Sequence, residues 1–434
     1  MGNSTSKKSF DSINIKEKGK EKEKEKEKKQ TGPNLINKYS LLFEQNEKNN
    51  KNSKRIIKYA SIFEQIKQNI IAIKKKYKIG LVQEYKTQYD KTQQNKTKFG
   101  IVIKYTYGPI NHLITTYGIE AIPLLTKYIE SEVDIFYVSN VSDGIIMRKY
   151  GIKKPIMVLY YVDPSNILDV EKYELEIIIP NIEYLKSIIG QIEYKIKVHL
   201  WYNSGLGKEG VSNITELMTL YKIITTVPTV VNKVQILGLG TKYNTSNIKY
   251  KNNKKLLHGP MPTDIIEQHN KFKLIVQSIN NPDIYIHASC TFELERNFRE
   301  AFFDTVRIGK LIYRNVVWSV PIIAISYRSI NDCMGYYCDE TYNLNKQLQI
   351  NKNSTASNKQ IKLAFLKNTI KSNETNTNRI RIFAYDIDGN KLIKLNTLFT
   401  KYDPLAVIIP DDLPIKLTIG DQLVIKSNDL YGYK

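Results

Sequence analysis

Cysteine is scarce in this chain: Cys290, Cys333 and Cys338 are the only three among 434 residues. They offer neither a four-ligand metal pattern nor a disulfide framework, which argues against a zinc site or a stapled fold and for a reducing compartment. Long apolar runs are missing too. None reaches the roughly 18 residues of a membrane-spanning helix, and no signal-type apolar stretch follows the start, so a cytoplasmic protein, soluble or peripherally attached, is expected. Arginine-rich clusters and aromatic ribonucleoprotein motifs are also lacking. The net charge of +22 comes from lysines spread along the whole chain among many Asn, Ile and Tyr, a distribution that argues against nucleic acid as the partner.

What the chain does contain begins with Met1-Gly2-Asn3-Ser4-Thr5-Ser6, followed by Lys7-Lys8. This fits an N-myristoylation signal with Gly2 as acceptor. One acyl chain holds a bilayer weakly, so the lysines would have to assist at an anionic membrane surface. From Lys16 to Lys29 lysine and glutamate nearly alternate, which leaves no apolar face to bury and predicts a disordered charged tail over residues 1–60. At Ile62, Ile66, Ile70 and Ile73 apolar residues recur at helical spacing, predicting a helix to Tyr77 that enters the first domain.

Beyond Phe99 strand-like and helix-like segments alternate. Ile101–Ile103, Ile135–Val138, Ile156–Tyr160, Glu176–Ile179, Lys195–Leu200, Val234–Leu237 and Ile284–His287 read as strands, with helices such as Ile119–Glu130 and Asn213–Ile223 between them. That rhythm predicts a parallel sheet, and its length suits a TIM-type (β/α)8 barrel over residues 61–313. Past Arg314 strands and turns take over, which predicts a mostly-β domain over 314–434. A polar Asn, Ser and Thr tract at about 346–378 reads as a loop inserted in it.

Lys104 leaves the apolar run Ile101-Val102-Ile103 just before Tyr105-Thr106-Tyr107-Gly108. A lysine at the exit of a buried strand is partly desolvated, which favours the neutral amine and suits it to attack an aldehyde; snorkelling into water is the plain alternative. The wider pattern resembles the alanine racemase family of fold type III pyridoxal phosphate enzymes. Lys104 with Tyr107-Gly108 is similar to the family's lysine motif, one residue shorter between Lys and Tyr. Val198–Val211 is similar to the segment around "HLKVDTGMGRLGV", with Gly205, Gly207 and Gly210 in register. Ile236–Tyr243 lies at a "GLMTHFA"-like strand, His287-Ala288-Ser289-Cys290-Thr291 at "HLANS", and Val306–Tyr313 matches "VRPGIALYG". Met334-Gly335-Tyr336-Tyr337 resembles the "VGYG" turn and Tyr402-Asp403-Pro404-Leu405 the "MDQL" turn.

The resemblance implies pyridoxal 5'-phosphate as cofactor, bound to Lys104 as a Schiff base, and racemisation of a small amino acid such as L-alanine to D-alanine by two bases. Lys104 would serve one substrate face and Tyr336, from the second subunit of a head-to-tail homodimer, the other. Arg307 would face the pyridine nitrogen. Thr291, Tyr107 and Gly309 would hold the phosphate, and Lys208 and Tyr402 would meet the substrate. The chain also departs from the family pattern. Trp201 stands at a position where many members carry a carbamylated lysine, Lys208 replaces an arginine, and Lys242 replaces a histidine. A lysine still attracts a carboxylate but lacks the bidentate fork. The "GYADG" strand-turn is not recognisable in Ile361–Asn378, and no "RVPR.Y" segment precedes Lys434, which predicts a wider entrance. The expected function is an alanine racemase-like isomerase. Its alternatives are an inactive relative with a structural or interaction role, or a pyridoxal phosphate binder with a changed reaction.

Overall fold

The computed structural model describes residues 62–80, 82–84, 94–104, 119–245, 259–329, 360–366, 382–385, 392–398 and 406–426. The expected tail lies outside them. Helix α1 (Ile62–Tyr77) spans the predicted residues and buries Ile66, Ile70, Ile73 and Tyr77 along one stripe. It packs against the first barrel helix and the turn that follows the last barrel strand. Two of its amide side chains bind the chain where it leaves the first barrel. Gln65 accepts a hydrogen bond from the Val317 N–H at 2.9 Å, and Asn69 donates to the carbonyls of Ile312 at 2.9 Å and Arg314 at 2.8 Å.

After a short antiparallel pair, β1 (Val82–Glu84) and β2 (Gln94–Lys96), come eight parallel strands. They are β3 (Lys98–Ile103), β4 (Ile135–Val138), β5 (Ile156–Val158), β6 (Glu176–Ile179), β7 (Ile196–Tyr202), β8 (Val234–Thr241), β9 (Tyr285–His287) and β10 (Thr305–Ile308). They pair in sequence order, and β10 closes the barrel on β3 with Arg307 opposite Gly100. Strands covered by helices outside and filled by side chains inside are apolar on both faces, as in the fully buried β4 and β6.

Between the strands run α2 (Ala121–Ile129), α3 (Val141–Lys149), α4 (Ile167–Lys172), α5 (Ile182–Ile189), α6 (Ile214–Thr226), α7 (Thr263–Ile279) and α8 (Thr291–Glu295). Asparagine begins three of them: Asn140, Asn181 and Asn213 each accept from a backbone N–H of the first turn, at 2.9, 2.8 and 2.7 Å. The described helices include none long and apolar enough to cross a membrane.

Several strand ends differ from expectation, and two of these differences shape the site. β5 stops at Val158, which frees Leu159 and Tyr160 to turn into the barrel mouth. β8 runs on to Thr241 through Gly238 and Gly240, glycines that look like a break. They are needed inside the strand because a Cβ at Gly240 would run into the Trp201 ring and His287. A register shift between Val198 and His199 on β7 falls beside these residues.

The second domain is also closed. β11 (Val317–Ser329), β12 (Gln360–Leu366), β13 (Ile382–Tyr385), β14 (Leu392–Leu398), β15 (Ala406–Ile409) and β16 (Gln422–Lys426) pair antiparallel in the order β11-β12-β15-β14-β13-β16. Here the expected loop at 346–378 needs correction, because β12 lies within it and pairs with both β11 and β15. Its Leu363 and Leu366, on opposite faces of the strand, are both fully buried. A short amphipathic strand flanked by long polar tracts does not stand out by composition, yet its alternating pattern is enough to fill a slot between two strands. The fold is thus a (β/α)8 barrel followed by an antiparallel β-barrel domain.

Candidate active site

The C-terminal ends of the parallel strands converge on one mouth, the position where a (β/α)8 barrel carries its site. Lys104 stands directly after β3, Tyr160 just past β5, Lys208 and Glu209 in the loop after β7, Lys242 directly after β8, Cys290 before α8 and Arg307 on β10. All of them line a single cavity, with Val102, Leu159 and Trp201 as apolar walls. Positive charge dominates: Lys104, Lys208, Lys242 and Arg307 face it, against one carboxylate from Glu209.

Tyr160 lies among these cations. Its hydroxyl oxygen accepts a hydrogen bond from Lys104 Nζ. The Lys104 and Lys208 ammonium groups lie 4.7 and 5.2 Å from its ring centroid. Burial alone would raise the phenol, but the bond from Lys104 and the charges of Lys104, Lys208 and Lys242 outweigh it and hold the phenol below the ordinary tyrosine value. Lys242 is lowered, first by desolvation of its ammonium and then by repulsion from Lys104 and Arg307, although part of its side chain reaches the surface. The Cys290 thiol goes the other way, pushed up to about 12 by burial and by Glu293.

Arg307 is 3 % exposed and is held from several sides. Its terminal nitrogens donate to the carbonyls of Thr241, Ala288 (2.7 Å) and His287 (3.1 Å) and to His287 Nδ1, while its guanidinium carbon lies 5.2 Å from the Trp201 ring centroid. Because a guanidinium only donates, His287 must accept at Nδ1 and carry its proton on Nε2. That Nε2 lies 3.0 Å from His199 Nδ1, and His199 Nε2 lies 3.0 Å from a Glu176 carboxylate oxygen. Tyr285 donates to the same oxygen at 2.9 Å. A directed chain of hydrogen bonds therefore crosses the barrel interior from a buried cation to a buried anion. Burial, and then the charge of Arg307, keeps His287 far below the usual histidine range. Burial raises Glu176, but the bonds from His199 and Tyr285 bring it below the usual carboxylate value.

The described residues bring together three of the expected site residues, Lys104, Lys208 and Arg307. Thr291 opens α8 next to Cys290, and Gly309 follows β10 beside Val102. Tyr107, Tyr336, Tyr402 and Gly2 lie outside the described residues.

Residues 114–315 match the model of the alanine racemase N-terminal domain. Through this barrel the chain is similar to the alanine racemase family. The similarity is distant. An alanine racemase of Streptococcus equi subsp. equi is 26% identical over 199 residues, covering 45% of this chain and 50% of the relative. One from Ligilactobacillus salivarius is 25% identical over 239 residues, covering 54% and 56%. The chain spans about half the length of the curated relatives it matches. Solved alanine racemases share the fold over more of the chain. The one from Bacillus anthracis, with bound L-Ala-P, has a TM-score of 0.57 at 14% identity over 83% of both chains. The one from Clostridium difficile 630 has a TM-score of 0.55 at 15% identity over 84% of both.

Two features of this alanine racemase relative were missed in its sequence. Tyr160 reads in the sequence as the end of a strand; in the structure it lies two residues beyond Val158, the last ladder position of β5, at the same mouth as Lys104. Glu176 opens an otherwise apolar run, and a carboxylate inside a parallel strand needs a buried partner. In the sequence His199 and His287 stand out only as motif positions, and pairing them with Glu176 and Arg307 requires the closed barrel.

Proposed function

We propose that the protein is a pyridoxal 5'-phosphate dependent amino-acid racemase. The observation that carries this reading is that Lys104 and Arg307 share one cationic cavity at the mouth of an alanine racemase barrel. Enzymes of this family use pyridoxal 5'-phosphate, and the donor set here suits that group. Lys104 offers an amine for its aldehyde. Among the described residues the Arg307 contacts use only its terminal nitrogens, which leaves Nε–H as a donor toward the pyridine ring. Gly309 adds a further sign. Its backbone angle is one that any residue adopts, and a Cβ there would meet nothing nearer than Val102 at 3.8 Å, so packing alone does not require glycine. Close approach of a phosphate would.

When bound, the cofactor supplies an electron sink for the bond from the substrate's Cα to its hydrogen. Lys104 then removes or returns the α proton on one face, and Tyr336 of a second subunit serves the other. Arg307 stays a donor because a guanidinium keeps its proton, and its chain to Glu176 fixes its orientation. Lys208 attracts the substrate carboxylate as a point charge. Thr291 and Tyr107 provide hydroxyls for the phosphate, and Tyr402 meets the substrate. Trp201 occupies a position where a charged residue is common in the family, which favours a binder with a changed reaction as the second reading. A homodimer and acylation at Gly2, with weak attachment to a membrane surface, complete the proposal.

The test is to mix the purified protein with pyridoxal phosphate, reduce with borohydride, and locate the adduct by peptide mass spectrometry. Labelling at Lys104, absent in Lys104→Ala, supports the cofactor role; no labelling at saturating cofactor overturns both readings. Turnover of L- and D-alanine, lost in Tyr336→Phe, separates the racemase from the changed reaction. Sedimentation and intact mass of the protein from a eukaryotic host test the dimer and the acyl group.

A further inference from the structure

We infer that Tyr160 is the proton partner of Lys104: its phenolate oxygen takes the proton that the Lys104 ammonium must lose before its nitrogen can attack an aldehyde, and returns it as the oxygen leaves. This rests on the reading of Lys104 as the cofactor anchor. The placement is built by the fold. β5 ends at Val158, and the chain turns so that Leu159 and Tyr160 both line the cavity. The Tyr160 oxygen then accepts directly from Lys104 Nζ, a residue 56 positions away in the chain.

The surroundings favour the phenolate form. Lys104 reaches it from β3, Lys208 from the loop after β7, Lys242 from the end of β8 and Arg307 from β10, while Glu209 is the carboxylate lining the same cavity. Two of these ammonium groups lie near the ring, at 4.7 and 5.2 Å from its centroid, where the aromatic quadrupole also attracts cations. An amine held as ammonium has no lone pair to donate, so a base in contact with Nζ is what an imine-forming lysine needs.

The step balances. The phenolate takes one proton from Nζ, and the freed lone pair attacks the aldehyde carbon while the C=O electrons move to oxygen. A proton passes from nitrogen to that oxygen. The phenol then protonates the hydroxyl as it leaves as water, which regenerates the phenolate and leaves a protonated C=N bond. Tyr160 cannot also be the second base of a racemase. A group touching Lys104 Nζ lies on the lysine's side, and racemisation requires the opposite face.

Carbon-13 NMR of protein labelled at tyrosine Cζ, without cofactor, tests the pair directly. The resonance that disappears in Tyr160→Phe should titrate at lower pH than the other tyrosines, and should move to higher pH in Lys104→Met. A Tyr160 resonance that titrates with the rest, or ignores Lys104→Met, overturns the proposal. The rate of borohydride-trappable labelling of Lys104 by pyridoxal phosphate near pH 7 should fall at least about tenfold in Tyr160→Phe. Equal rates in wild type and Tyr160→Phe, with Lys104 labelled in both, would discard Tyr160 and keep the anchor. Absence of labelling in both would discard the anchor instead, and this pattern distinguishes the two failures.

Discussion

The two barrels of this molecule are filled by opposite means. The interior of the second is apolar: Trp318, Val320, Leu366, Leu395, Val407, Leu423 and Ile425 are all buried there. The first carries Tyr137, Glu176, His199, Trp201, His287 and Arg307 inside a ring of eight strands. Burying a charge is costly unless it is paired and hydrogen-bonded. A barrel that accepts such a burden joins it end to end, from Glu176 to Arg307, and so holds the Arg307 guanidinium in place at the mouth. The second barrel bears no comparable burden among its described residues.

The largest expected effect comes from cutting the polar chain at its anionic end. Glu176→Leu leaves the His199 N–H, the Tyr285 hydroxyl and the Arg307 charge without their counterpart and should cost about 3–5 kcal/mol, measured by urea denaturation. A loss below about 1 kcal/mol would mean that the chain is not what stabilises Arg307. The matching cut in the second barrel, Leu366→Ala, should cost about 2–5 kcal/mol as a cavity. Its cost should not change with pH, whereas that of Glu176→Leu should shrink only once the pH falls below the usual carboxylate range and the folded carboxylate takes up a proton.

A smaller effect is the acid sensitivity of the wild type. His287 is depressed in the folded state, so below about pH 6.5 the unfolded chain takes up the proton first and stability falls. Glu176 is also depressed, and its contribution is lost at still lower pH, as the carboxylate titrates through its folded value. Glu293 and Asp304 are raised by burial, favour the fold when protonated, and so soften the decline. Urea midpoints from pH 7 to 5 should decrease in wild type and less steeply in His287→Gln; parallel slopes would remove His287 from the account. Smallest is Gly309→Ala, which should change stability by no more than about 0.5 kcal/mol yet weaken retention of pyridoxal phosphate on dialysis. Unchanged retention would show that no phosphate approaches there.

Much of the first barrel was legible because its signals are local. β-branched runs such as Ile135–Val138 and Glu176–Ile179 announce buried strands wherever they lie in the chain, and the Ile62–Tyr77 stripe is a helix by its period alone. Lys104 could be placed at a strand exit for the same reason. β12 was obscured because its short alternation sits between polar tracts, and its identity as a strand depends on the partners on either side.

The sequence by itself determined the alternation of strands and helices, the lysine at the exit of the first parallel strand, and the family pattern, since each depends on residues near one another along the chain. Only the tertiary structure decided that Tyr160 meets Lys104 and that Glu176 answers Arg307 through two histidines. Those pairings join strands far apart in sequence. They exist because closing the barrel removes water from its centre, where every charge must find a partner inside the protein.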